Sequence, residues 1–145
     1  MIKTNSPLKL GLTGNALFSF LTGVSLLVAA EPIAKWIGVP DHRILAAIGL
    51  ILIPFAVHLW MAARRTPIQP GEIYYLSTLD AFWVLGSGIL LLTGWVPFTM
   101  AGIWTVAVVA LAVADFMMLQ LIGVLRLKRV AAGNLQGNNR VSIRR

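Results

Sequence analysis

Four side chains stand out in this 145-residue sequence because they are polar inside long apolar runs: Asn15, His58, Asp80 and Asp115. A carboxyl and an imidazole in a water-poor setting are the raw material of proton transfer or of ligand binding. In the bilayer such groups are costly, so an intramembrane acid is first read as a functional site. Placed inward, Asp80 is either neutral or ionised and paired with His58, and two aspartates in one site compete for one proton. The structural alternative is a set of interhelical hydrogen bonds, worth about 0.6 kcal/mol each on average in a membrane protein. A metal centre on His58, Asp80 and Asp115 lacks paired-ligand spacing of the HxxxH or ExxH kind. Bis-histidine haem needs two facing histidines, and His42 is expected on the opposite side from His58. No phosphate-cradling loop, nucleophile elbow or zincin motif occurs, and "GLTGNA" has only the glycines of a P-loop. No catalytic, cofactor-binding or metal residue is therefore assigned.

The elements that must hold these residues are membrane spans. The chain is 58% hydrophobic and 12% charged, with a mean hydropathy of +0.83, well beyond a soluble domain. Four apolar stretches reach the roughly 20 residues that a helix needs to cross a bilayer. They run from Leu10 to Ala30, Ile44 to Ala63, Ile73 to Trp95 and Phe98 to Leu125. "EPIAKWIGVPDHR", "TPIQPG" and "GWVP" separate them with turn chemistry. Lipid offers no partner to backbone groups and barrel-type alternation is missing, so the expected fold is all-α: an up-down four-helix membrane bundle over residues 1–129. Residues 130–145 are polar, basic and rich in Gly and Asn, and read as a disordered tail touching anionic lipid. The first apolar stretch, at about 20 residues, exceeds the 7–15 of a signal-peptide core and is read as a retained span.

Charge gives the expected orientation. Ten of the twelve Lys and Arg residues fall on one side, and only Lys35 and Arg43 fall on the other. The positive-inside rule then puts both termini in the cytoplasm of a bacterial inner membrane, with the net charge of +7 directed at anionic headgroups rather than nucleic acid. In the external loop, Ile33, Trp36 and Ile37 suggest a short interfacial helix. There are no cysteines, which excludes disulfides and dithiol chemistry.

Depth and periodicity then bring the polar residues together. At 1.5 Å per residue, Asn15 lies about 9 Å beyond Lys9, His58 about 9 Å before Arg64, Asp80 about 12 Å beyond Glu72 and Asp115 about 16 Å before Arg126, a band about 7 Å deep. Asn15, Ser19 and Thr22 share a stripe with Gly11 and Gly23 on the first span; Ser77, Asp80, Ser87 and Gly88 share one on the third. Gln120 adds an amide to the fourth, and Pro54 is expected to kink the second before His58. Residues 15–32 also align without a gap on 80–97, "NALFSFLTGVSLLVAAEP" on "DAFWVLGSGILLLTGWVP". Asn15 meets Asp80, Thr22 meets Ser87 and Pro32 meets Pro97, as in two parallel hairpin repeats about an axis along the membrane normal.

"GNALFSFLTG", "HLWMAARR", "LDAFWVLGSG" and "ADFMMLQLIGVLR" give residues 8–129 a layout that resembles small bacterial four-span proteins of the broad DoxX-like grouping. That resemblance implies the four-span fold and a membrane redox complex as partner, although no redox residue stands in the sequence. In size the chain is also similar to small multidrug transporters, but where those carry an essential glutamate in the first span this chain has Asn15. The leading expectation is a non-enzymatic accessory, assembly or structural membrane protein without a cofactor. The alternatives are a proton-coupled carrier using Asp80, Asp115 and His58, expected as a homodimer because four spans enclose little volume, and a lipid- or quinone-acting membrane enzyme.

Overall fold

The computed structural model describes the backbone of residues 6–142 and the side chains of residues 7–133. Five helices follow one another with no strand among the described residues: α1 (Ser6–Val28), α2 (Ala30–Ile37), α3 (His42–Arg64), α4 (Pro70–Thr93) and α5 (Met100–Ser142). All but α2 are long and apolar enough to cross a membrane, so the protein is a multi-pass, all-α membrane bundle. The short α2 is the helix expected in the external loop, and Trp36 stands 59% exposed on it.

Local chemistry accounts for the boundaries. Asp41 caps α3 by accepting a hydrogen bond from the Arg43 amide at 2.9 Å. Pro70 opens α4 at the first helical position, where its missing N–H costs nothing. Gly38, at φ 87°, ends α2 in the left-handed region that glycine enters freely. Thr99 caps α5 and fastens α2 to it. Its hydroxyl donates to the Trp36 carbonyl at 2.7 Å and accepts from the Gly102 amide at 3.0 Å, while its own amide donates to the Ile37 carbonyl at 3.0 Å. On α2 itself, Lys35 donates to Glu31 at 2.7 Å and holds that carboxyl below its ordinary range.

Of the tail read from the sequence at residues 130–145, the described backbone continues α5 to Ser142, and residues 143–145 lie outside the described residues. The 43 residues of α5 measure about 65 Å, twice the hydrocarbon thickness, so α5 runs well past the membrane. Residues 130–142 contain no proline, so a helix already nucleated by the span propagates through them despite two glycines and three asparagines of low helix propensity. Pro54 lies within α3 on its exposed side, and the helix runs through it.

The four spans do not close a symmetric ring. α1 packs along both α3 and α5, and α4 packs along α5, but α3 and α4 barely approach. Where they do meet is the basic end of the bundle, around the loop that joins them. There Leu8, Leu12, Leu59, Ile73, Leu76 and Val124 form a core drawn from all four spans. Small residues set the tight seams. Gly23 of α1 and Gly49 of α3 face each other so closely that a methyl on Gly49 would lie 2.7 Å from the Gly23 carbonyl oxygen. Gly123 of α5 presses on Leu8 of α1 in the same way.

Candidate functional site

Above the basic-end core lies a layer of five hydrogen-bonded side chains: Asn15 and Ser19 from α1, Ser77 and Asp80 from α4, and Gln120 from α5. All are buried, with Asn15 and Gln120 at 0% exposure and Asp80 at 2%. Asn15 Nδ2 donates to Asp80 Oδ2 at 2.7 Å, and Gln120 Nε2 donates to the same oxygen at 3.2 Å. Each amide is oriented by a serine. Ser19 donates to Asn15 Oδ1 at 3.2 Å, and Ser77 donates to Gln120 Oε1 at 3.2 Å, so both NH2 groups turn toward the carboxyl.

The arrangement is asymmetric about Asp80. Oδ2 receives both amides, whereas Oδ1 has no hydrogen-bond partner among the described residues. A buried oxygen without a partner costs about 1–3 kcal/mol, which calls for an explanation in terms of what else reaches it. What adjoins Asp80 is a cleft of about 350 Å³ between the poorly joined α3 and α4. Its walls are Phe18 and Thr22 of α1, Ile51 and Phe55 of α3, Leu79, Phe82 and Trp83 of α4, and Val109 and Val113 of α5, among others. Asp80 is the one titratable side chain among the lining residues, and Ser19 and Thr22 are the other hydrogen-bonding ones apart from the Trp83 indole. Such a cavity offers apolar burial with one titratable anchor and a few hydrogen-bonding groups, the usual composition of a small-molecule site.

The expectation that one polar site unites Asn15, His58, Asp80 and Asp115 holds for only two of them. His58 is half-buried and its Nε2 lies 3.0 Å from Glu72 Oε1, not beside Asp80. Glu72 also accepts from Arg65 Nη1 at 3.2 and 3.1 Å, so His58, Glu72 and Arg65 form a separate cluster where α3 meets α4. His58 follows the neighbour that the short α3–α4 loop delivers, and a carboxylate at the start of α4 is nearer than one three turns along. Asp115 is exposed on the outer side of α5 and joins neither cluster. Helix geometry explains it. Asp115 and Gln120 are five residues apart, hence about 140° apart around the helix, and only one of them can face the interior. The buried side of α5 at this depth is Val113, Gln120, Gly123 and Val124, and it takes Gln120 inward and leaves Asp115 outside.

Of the supporting stripe, Ser19, Ser77 and Gln120 enter the cluster directly, Thr22 lines the cleft, and Ser87 is buried higher on α4. Glu72 is the residue that sequence reasoning left out. Its signal was its place in the first turn of a span, eight positions after one arginine and seven after the next. No group of three or more His, Cys, Asp or Glu side chains suited to a metal occurs among the described residues. No protein-family profile, curated protein or solved structure matches this chain.

Proposed function

We propose that this protein is a non-enzymatic, membrane-embedded binding module. A lipid-soluble molecule enters the cleft between α3 and α4 and places a hydrogen-bond donor, a hydroxyl or an amine, on Asp80 Oδ1. The observation that carries this reading is the pairing of an unpartnered buried carboxyl oxygen with an apolar cleft at the level of the bilayer. The two oriented amides fix the carboxyl through Oδ2 and leave Oδ1 for a partner, on a residue that lines the cleft. An accessory role fits the same geometry, since a bound amphiphile is something a partner complex can receive or sense. The reading places both termini in the cytoplasm of a bacterial inner membrane, by the distribution of Lys and Arg.

Two features favour binding over a proton relay. His58 is engaged by Glu72, and Asp115 faces away, so among the described residues no chain of titratable groups leads from Asp80. The cleft likewise brings no second titratable group to Asp80, as general acid–base chemistry on a lipid or quinone would require. The test is binding of a dansyl-labelled alkylamine to the full chain in detergent micelles. The expected result is a loss of about tenfold or more in Asp80→Leu, the equivalent of one hydrogen bond to a charged group, and retention in Asp115→Leu. Val109→Phe, which fills the cleft and leaves the polar cluster intact, should abolish binding too. Equal affinity in wild type, Asp80→Leu and Val109→Phe would refute the proposal.

A further inference from the structure

The basic end of the bundle holds a second recess, of about 400 Å³, built from three elements that only the fold brings together. Lys9 comes from α1, Arg65 from the end of α3 and Lys128 from α5, and all three line it. No acidic residue is among the lining residues, whose remaining members include Pro67, Pro70, Ile68 and Leu127. Two of the cations are held in place. Lys128 lies 4.6 Å from the centre of the Tyr74 ring, a cation–π distance. Arg65 is anchored to Glu72 through Nη1 alone, so its Nε and Nη2 groups keep their hydrogens for another acceptor. Lys9, the third, is exposed and has no ion-pair partner among the described residues.

The geometry points to a seat for a phosphate group in this recess, supplied by the headgroup of an anionic phospholipid. Three cations lining one recess, with Glu72 taking only Nη1 of Arg65 and no carboxylate in the lining, suit a phosphate, and guanidinium is the side chain that matches its oxygens in a planar fork. The lipid source is favoured by position. The recess lies at the end of four membrane spans, its walls carry Ile68 and Leu127, and Leu10, next to Lys9, stands 63% exposed for an acyl chain to cover. Basic pockets between spans are the usual form of such headgroup sites. This site is independent of the cleft beside Asp80 and stands or falls separately.

Native mass spectrometry of the full chain in neutral detergent tests it, with phosphatidylglycerol, phosphatidylcholine and inorganic phosphate as probes. Phosphatidylglycerol should be retained in preference to phosphatidylcholine. The double variant Lys9→Gln/Lys128→Gln should weaken it about 25-fold, at about fivefold per cation. Arg43→Gln, at the opposite end of the bundle, should leave it unchanged. Retention of phosphatidylglycerol in millimolar inorganic phosphate assigns the site to lipid; displacement by phosphate with no preference between lipids overturns that source in favour of a soluble phosphate. Equal binding by wild type and the double variant, or an equal loss in Arg43→Gln, overturns the site itself.

Discussion

The seam between α1 and α5 is closed, and the seam between α3 and α4 is open. The two would be equivalent in a bundle made of two identical hairpins, because the alignment of residues 15–32 with 80–97 pairs α1 with α4. Continuing that register toward the amino terminus sets Gly11 and Gly14 of α1 opposite Leu76 and Leu79 of α4. On the closed side, the two glycines lie against Leu119 and Phe116 of α5, where added Cβ atoms would come within 2.9 and 2.7 Å. On the open side, Leu76 fills the basic-end core and Leu79 lines the cleft. Glycine lets α1 and α5 come together, whereas the matching places on α4 hold Leu76, packed where α3 and α4 meet, and Leu79, at the cleft where they part. The aligned residues Asn15 and Asp80 hydrogen-bond directly to each other, as residues near an axis relating two repeats would. The comparison teaches that the seam carrying small residues on α1 is closed, and that the seam with leucines at the aligned places of α4 borders a cleft.

The most severe test of that contrast is Gly123→Leu, which forces a branched side chain into the contact of α5 with Leu8. It should destabilise the bundle by about 3 kcal/mol, the upper end for overpacking, read as a fall in the thermal midpoint in micelles. Next in size is a pair of changes with opposite signs. Asn15→Leu removes the shorter donor to Asp80 and should cost about 1–3 kcal/mol. Asp115→Leu replaces an outward-facing acid and should stabilise by about 1–3 kcal/mol, since aspartate is disfavoured and leucine favoured in the hydrocarbon region. Titration of each variant with dodecyl sulfate should separate the two, and a loss of stability in Asp115→Leu would show that this acid has a partner. Thr99→Ala removes the cap that ties α2 to α5, with an expected loss of about 1 kcal/mol and faster amide exchange in the first turn of α5. The smallest effect belongs to the open side. Gly86 of α4 has no atom within 4 Å of an added Cβ, so Gly86→Ala should be neutral or stabilising by about 0.4–1 kcal/mol. A marked loss in unfolding assays would mean that α4 is covered there by something else.

What the sequence determined by itself was the set of one-dimensional properties. Span count, the short helix around Ile33, Trp36 and Ile37 and the inward stripe of Asn15 and Asp80 all follow from composition, turn chemistry and helical period, which act within a few residues. Tertiary packing decided the rest. Depth along a span says nothing about azimuth, so Asp115 shared a level with Asp80 yet points away, and Gln120 took the place foreseen for it. Nor does sequence say which diagonal or adjacent helices touch. Glycine contacts close the seams of α1 with α3 and α5, while α3 and α4 meet only near their loop, where His58 finds Glu72 and above which the cleft beside Asp80 opens. Local rules place a side chain on a helix; only the steric fit between helices determines what it meets.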